Sequence, residues 1–174
     1  MLYGKLIGKG AFSKVYRKDD EPFVTVISSD YVKECLSWGW MPDDSLFPKV
    51  ERIEYDEPSI YRMPYYPRVK APKQELNERS YALYVELRKF MLSTPVCDNI
   101  YDLYDVTWEH ISTIDSRFKK EKTLLRDALS ALSNYGSDMC FEISPRNISK
   151  TNRGKLVLLD CFFFKSQLIK ARSK

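Results

Sequence analysis

The period of the hydrophobic pattern changes near Pro72, and that change sets the fold class. Before it, apolar residues come in short β-branched runs separated by turn signals: "YGKLIGKG", "SKVYRK", "FVTVIS", "FPKVERIEYD" and "SIYRMPYYPRV". Such runs suit strands, whose side chains alternate between two faces. "DDEP" (19–22) and "EPS" mark turns between them. Between the third and fourth runs, Asp30 is placed to cap a short helix, "YVKECLSW", that Gly39 would end. Five strands and one helix within the first 70 residues predict a small antiparallel sheet with a helix packed on it.

After Pro72 the apolar spacing becomes helical. "KQELNERSYALYVELRKFM" aligns Leu83, Leu87, Phe90 and Met91, and "NIYDLYDVTWEHISTI" aligns Ile100, Leu103, Tyr104, Trp108, Ile111 and Ile114. "KTLLRDALSALSNYG" aligns Leu125, Ala128, Leu129 and Leu132 and stops at Gly136. From 137 to 164 the pattern is β-like again, most apolar in "KLVLLDCFFF". The fold class is therefore α+β, with a β-rich part over 1–66 and a mainly helical part over 67–174, joined through "PYYPRVKAPK".

Composition excludes several function classes. The net charge of +4 arises from 28 basic and 24 acidic residues that are well mixed, which argues against a nucleic-acid binder. Only the tail "KSQLIKARSK" is locally basic, and it is expected to be a frayed, solubilising end. Cys35, Cys97, Cys140 and Cys161 form no CxxC pair, and His110 is the one histidine, so zinc has no local ligand set. His110 itself is expected to be an ordinary helix residue. No apolar run approaches the about 18 residues of a membrane span, and no secretory signal is present, so the expected setting is a reducing cytoplasm.

Two stretches carry chemistry. The first is "LIGKGAFSKVY" (6–16), where Gly8 and Gly10 allow either a tight hairpin or a loop whose amides cradle phosphate. The second is "FEISPRNISKTNRGKLVLLD" (141–160), in which Asn147 follows Glu142 by five residues and Asp160 follows Asn147 by thirteen. An acid and an amide lie on one loop, followed by a hairpin and then by an acid at a strand end; simple turn roles for Asp160 and Asn147 are the alternative to a joint chemical one.

Taken together these stretches resemble the protein kinases, whose catalytic loop reads H-R-D-x-x-x-x-N and whose later metal ligand opens D-F-G. The corresponding residues are Cys140-Phe141-Glu142 through Asn147, and Asp160-Cys161-Phe162. "IGKGAFSKV" resembles the Gly-rich loop, with Ser13 in place of the third glycine and Val15 as the valine that packs on adenine. "IYRMPYYP" resembles the hinge strand, and the helix at 122–135 precedes the catalytic loop as the family's does. Within the superfamily the chain resembles the short kinase-like proteins of bacteriophages, which implies a bacterial host protein as partner and the host cytoplasm as location.

The resemblance implies a two-lobed fold with ATP and Mg²⁺ as ligands. Gly8, Lys9, Gly10, Ser13 and Val15 would bind the nucleotide, Asn147 and Asp160 the metal, and Glu142, Asn147 and Asp160 would form the catalytic set. The departures are substantial. No lysine lies between residues 19 and 32, so the strand lysine that grips the phosphates is missing, with Thr25 or Val26 in its region. Lys9 or Lys14 would have to replace it, and Glu34 has no evident partner. Glu142 stands for the catalytic Asp, and Cys161-Phe162 carries no pivoting glycine. Fourteen residues after Asp160 leave no room for an activation segment, so the helical lobe is expected to be truncated; the insert at 74–116 rebuilds part of it. The expectation is a pseudokinase that binds a protein partner and ATP, with a minimal serine/threonine kinase, acting on a host protein or itself, as the alternative.

Overall fold

The computed structural model describes residues 3–93 and 102–173. Cys97 and Ile100 lie outside the described residues, as do the side chains of Phe90 and Met91.

Five strands form one antiparallel sheet: β1 (Lys5–Lys9), β2 (Ser13–Arg17), β3 (Phe23–Ser28), β4 (Glu51–Glu54) and β5 (Ser59–Pro64), in the order β1-β2-β3-β5-β4. β3 sits at the centre because "FVTVIS" offers branched side chains to both faces. Val24, Val26 and Ser28 are buried, and Phe23, Thr25 and Ile27 alternate with them, half-buried. The inner face collects Val24, Val26, Tyr61 and Met63 into a small core, against which Val15 and Leu159 pack.

Helix α1 (Tyr31–Ser37) begins on the expected residue and ends one residue short of the expected Trp38, which caps it. The Asp30 carboxylate accepts from the Val32 N–H at 3.0 Å. Gly39, at φ +69°, then turns the chain so that the Trp40 N–H reaches the Cys35 carbonyl at 3.2 Å.

The expected long helix from residue 74 is instead two. A single turn, α2 (Pro72–Glu75), is followed by α3 (Glu78–Ser93). The break follows from Asn77, whose side-chain oxygen accepts from the Ser80 N–H at 2.9 Å and so caps α3. Glu75 fixes the preceding turn: it accepts from the Lys70 and Ala71 N–H groups, both at 2.7 Å, and from Lys150 at 2.6 Å. Those bonds, the one from Lys150 first, lower its pKa from 4.5 to about 2. A depressed acid stabilises the fold above its unfolded pKa and loses that contribution as pH falls through the folded one. Glu75→Gln should therefore melt below the wild type at pH 7, and the gap should close between about pH 4.5 and 2 in a pH series of thermal melts.

Helices α4 (Leu103–Ser112) and α5 (Lys119–Leu132) complete the helical layer, with His110 in the last turn of α4. Leu125, Ala128, Leu129 and Leu132 of α5 are fully buried, as their spacing predicts. They join Leu83 and Leu87 of α3, Ile111 of α4 and Val32 and Cys35 of α1 in the main core. No described helix is long and apolar enough to cross a membrane.

The last strands are β6 (Met139–Phe141), β7 (Ile148–Lys150), β8 (Leu156–Leu158) and β9 (Phe162–Phe164). β7 pairs with β8 inside the outer pair β6–β9, so two antiparallel ribbons are nested. The basic tail is not frayed: it forms helix α6 (Lys165–Arg172). Gln167 anchors it by donating to the Ser29 carbonyl at 2.9 Å, and the Ser166 N–H donates to Asp138. A polar, basic segment read from composition alone gives no sign of this, because the anchors lie far away in sequence.

Candidate functional site

Nesting the ribbons has a local consequence. The connections β6–β7 (residues 142–147) and β8–β9 (residues 159–161) must lie side by side. Two backbone bonds pin them there: the Leu159 N–H donates to the Asn147 carbonyl at 2.9 Å, and the Glu142 N–H donates to the Cys161 carbonyl at 2.8 Å. Asp160 is the residue between those two bonds. Glu142, Asn147 and Asp160, eighteen residues apart along the chain, are thus held together by the backbone.

One side chain that the sequence reading passed over completes the group. Lys33, on α1, is buried, and its ammonium donates to the Leu159 carbonyl at 3.0 Å. It lies 3.6 Å from the Asp30 carboxylate and 3.8 Å from Asp160. Burial opposes its charge, but Asp160 and Asp30 outweigh burial and raise its pKa above the ordinary lysine value. For Asp30 burial is the largest influence, pushing its pKa up to about 6; Lys33 pulls it down and Asp160 pushes it up. The sequence shows only that Lys33 lies three residues after the capping acid; that it points inward is decided by packing.

The group carries one cation, Lys33, and three carboxylates, Asp30, Glu142 and Asp160, hence a net negative charge. Asp160 Oδ1 and Asp30 Oδ2 are buried without a hydrogen-bond donor, while the Asp160 side chain is 40% exposed. A carboxylate with spare acceptor capacity and an open face is the donor type that Mg²⁺ takes. Asn147 is half-buried and its side-chain amide has no hydrogen-bond partner among the described residues. The pair fits a hard, oxygen-seeking cation. Cys161 does not join in: it is buried, and burial pushes its thiol pKa far up.

The glycine hairpin reaches the same place through a polar chain. The Ser13 and Ser28 hydroxyls are hydrogen-bonded at 2.7 Å, and the Asp30 N–H donates to Ser28 at 3.1 Å. Asp30 then meets Lys33, and Lys33 meets Asp160. Val15 lies opposite Val26 and packs on the cluster that includes Leu159. Gly8 and Gly10 do not adopt positive φ, and a Cβ at Gly10 would meet nothing within 4 Å. The backbone at Gly10 therefore has no need of glycine; leaving it bare keeps the space beside the hairpin open.

Lys9 and Lys14 are cross-strand partners, and both are exposed. Partners share a face, and Lys14 must face away from its neighbour Val15. The two lysines accordingly project from the side opposite Val15 and Val26. Nor do Thr25 and Val26 mark the strand's contact with the acids: Ser28, inward on β3, does. Glu34 has a partner after all, since Arg52 on β4 donates to it at 3.1 Å. That contact joins α1 to β4 and could not be seen in the helix sequence alone.

A scan against protein-family models finds no match to this chain, and a search of the curated proteins finds none either.

Proposed function

We propose that this chain is a kinase-like nucleotide-binding protein that acts chiefly as a pseudokinase, holding Mg²⁺–ATP between the Gly8–Gly10 hairpin and Asp160 and engaging a protein partner. The observation that carries the reading is the bracketing of Asp160 by backbone bonds to Asn147 and Glu142, with a buried lysine alongside. The strand order of the sheet, the nested ribbons and the open space at Gly10 support it. In this reading Asn147 and Asp160 hold the metal, the hairpin amides face the phosphates, and Val15 and Val26 offer an apolar wall to the base. The metal supplies charge neutralisation on the phosphates.

Lys33 bears on turnover in both directions. It restores a cation near the phosphate site that β3 lacks, which favours an active phosphotransferase as the second reading. Yet its ammonium is engaged by two carboxylates and a carbonyl, so little of its charge is left for developing charge on a transferred phosphoryl group. Removal of one such preorganised group commonly costs about 10²–10³ in rate. Glu142 adds to this, because its extra methylene displaces the carboxylate by roughly an ångström from where aspartate would place it.

Thermal melts with ATP and Mg²⁺ test the reading. Saturating ligand should raise the melting temperature by roughly 5–10 °C, by mass action on the folded state. Asp160→Ala should abolish the Mg²⁺-dependent part, and Glu142→Gln should preserve it. Equal loss in both variants would remove the assigned roles. Incubation with γ-labelled ATP and a bacterial lysate should give little labelling; strong labelling that disappears in Asp160→Ala would establish the active enzyme instead.

A further inference from the structure

A second site lies on the far side of α1, away from Asp160. Glu34 and Trp38 are one helical turn apart and so share a face, and the left-handed turn at Gly39 brings Trp40 beside them. Together with Asn134 and Tyr135, which follow α5, they line a cavity of about 430 Å³. Trp38 and Trp40 stack at 6.4 Å between ring centroids, and Trp40 meets Tyr135 at 6.0 Å. Both tryptophans are about half exposed, at 50% and 53%. Tryptophans are large and apolar, and two adjacent ones left open on a surface need an occupant.

The polar atoms of this cavity determine what that occupant is. Glu34 gives one carboxylate oxygen to Arg52, and its other oxygen has no partner among the described residues. The Asn134 amide nitrogen donates to the Ala131 carbonyl at 3.0 Å, which leaves its oxygen as the acceptor. The aromatic faces are negative. Every one of these groups seeks a positive donor. The same surface already stacks one cation, since the Arg52 guanidinium lies 4.6 Å from the centroid of the Tyr55 ring, and Tyr55 adjoins Trp38 at 6.3 Å. Arg52 approaches from β4 and is itself largely buried, so the cavity side of Glu34 stays open.

The geometry points to this cavity as a docking site for a lysine side chain of a protein partner, its ammonium on Glu34 and Asn134 and its methylene stem across Trp38 and Trp40. A primary ammonium fits better than a quaternary one because two acceptor oxygens call for N–H donors. The proposal rests on the partner-binding half of the function proposed above and not on its nucleotide half.

The test uses the full chain with ¹⁵N-labelled tryptophan indoles and Nα-acetyl-lysine N-methylamide as the probe, without nucleotide, so a failure of ATP binding leaves the readout intact. The indole signals of Trp38 and Trp40 should shift saturably, with a Kd on the order of millimolar. The norleucine analogue, which keeps the four side-chain carbons and has hydrogen in place of the ammonium, should bind about fivefold more weakly or worse. Glu34→Gln should bring lysine binding down to the norleucine level, and Trp40→Ala, a surface change, should weaken both probes. Equal binding of lysine and norleucine would make the site a plain apolar patch, suited to a second copy of the chain, and would overturn the proposal. So would the absence of any indole shift.

Discussion

Lys33→Met is expected to destabilise the protein by about 3–5 kcal/mol, the usual cost of removing one partner from a buried ion pair. For a chain of this size that is a fall of roughly 6–20 °C in melting temperature. The cost arises at Asp30, whose side chain is 1% exposed and would be left with its charge uncompensated; Asp160, 40% exposed, can turn to water. The pH dependence identifies the cause. Asp30 already has a folded pKa raised to about 6, and loss of Lys33 raises it further. An acid whose folded pKa exceeds its unfolded value takes up a proton more readily when folded, so stability rises as pH falls from the folded pKa towards the unfolded one. The deficit of Lys33→Met should therefore shrink between pH 7.5 and 5. Adding Asp30→Asn should recover much of the loss at pH 7.5, because the buried charge is then gone. A deficit that is constant with pH and unaffected by Asp30→Asn would mean that Lys33 contributes packing alone.

Phe162→Ala is expected to cost about 3–5 kcal/mol, the range for emptying an aromatic site in a core. Phe162 is fully buried, pairs with Phe141 across the β6–β9 ribbon and packs its ring tilted against it at 5.2 Å between centroids. It also follows Asp160 by two residues, so its anchoring sets the direction in which the chain leaves Asp160. Denaturant melts measure the first effect. The second predicts that any Mg²⁺-dependent nucleotide stabilisation weakens in Phe162→Ala even under conditions where the variant is fully folded. Phe162→Leu, which keeps most of the volume, should retain both properties.

Much of the fold was legible because its signals are local. "FVTVIS" is β3 residue for residue, Asp30 caps α1, and the stripe Leu125–Leu132 is the buried face of α5. Alternation, capping and helical spacing all act within a few residues, and the chain states them directly. The error at residues 74–77 was of the same local kind: Asn77 is a helix cap in the middle of what otherwise reads as one amphipathic run.

The site divides along the same line. The motif resemblance in the sequence implied that Glu142, Asn147 and Asp160 belong together, and the nested ribbons hold their backbones side by side. Only the tertiary structure decided which cation accompanies them. Lys9 and Lys14 were the candidates by proximity in sequence to the glycines, but strand parity turns them to the other face, and Lys33 enters from a helix 127 residues before Asp160. The partner of Glu34, the anchoring of the basic tail and the aromatic cavity beside α5 were equally invisible. Each joins groups from elements that are distant in the chain, and a one-dimensional pattern records what a residue prefers nearby, not which distant residue the packing brings to it.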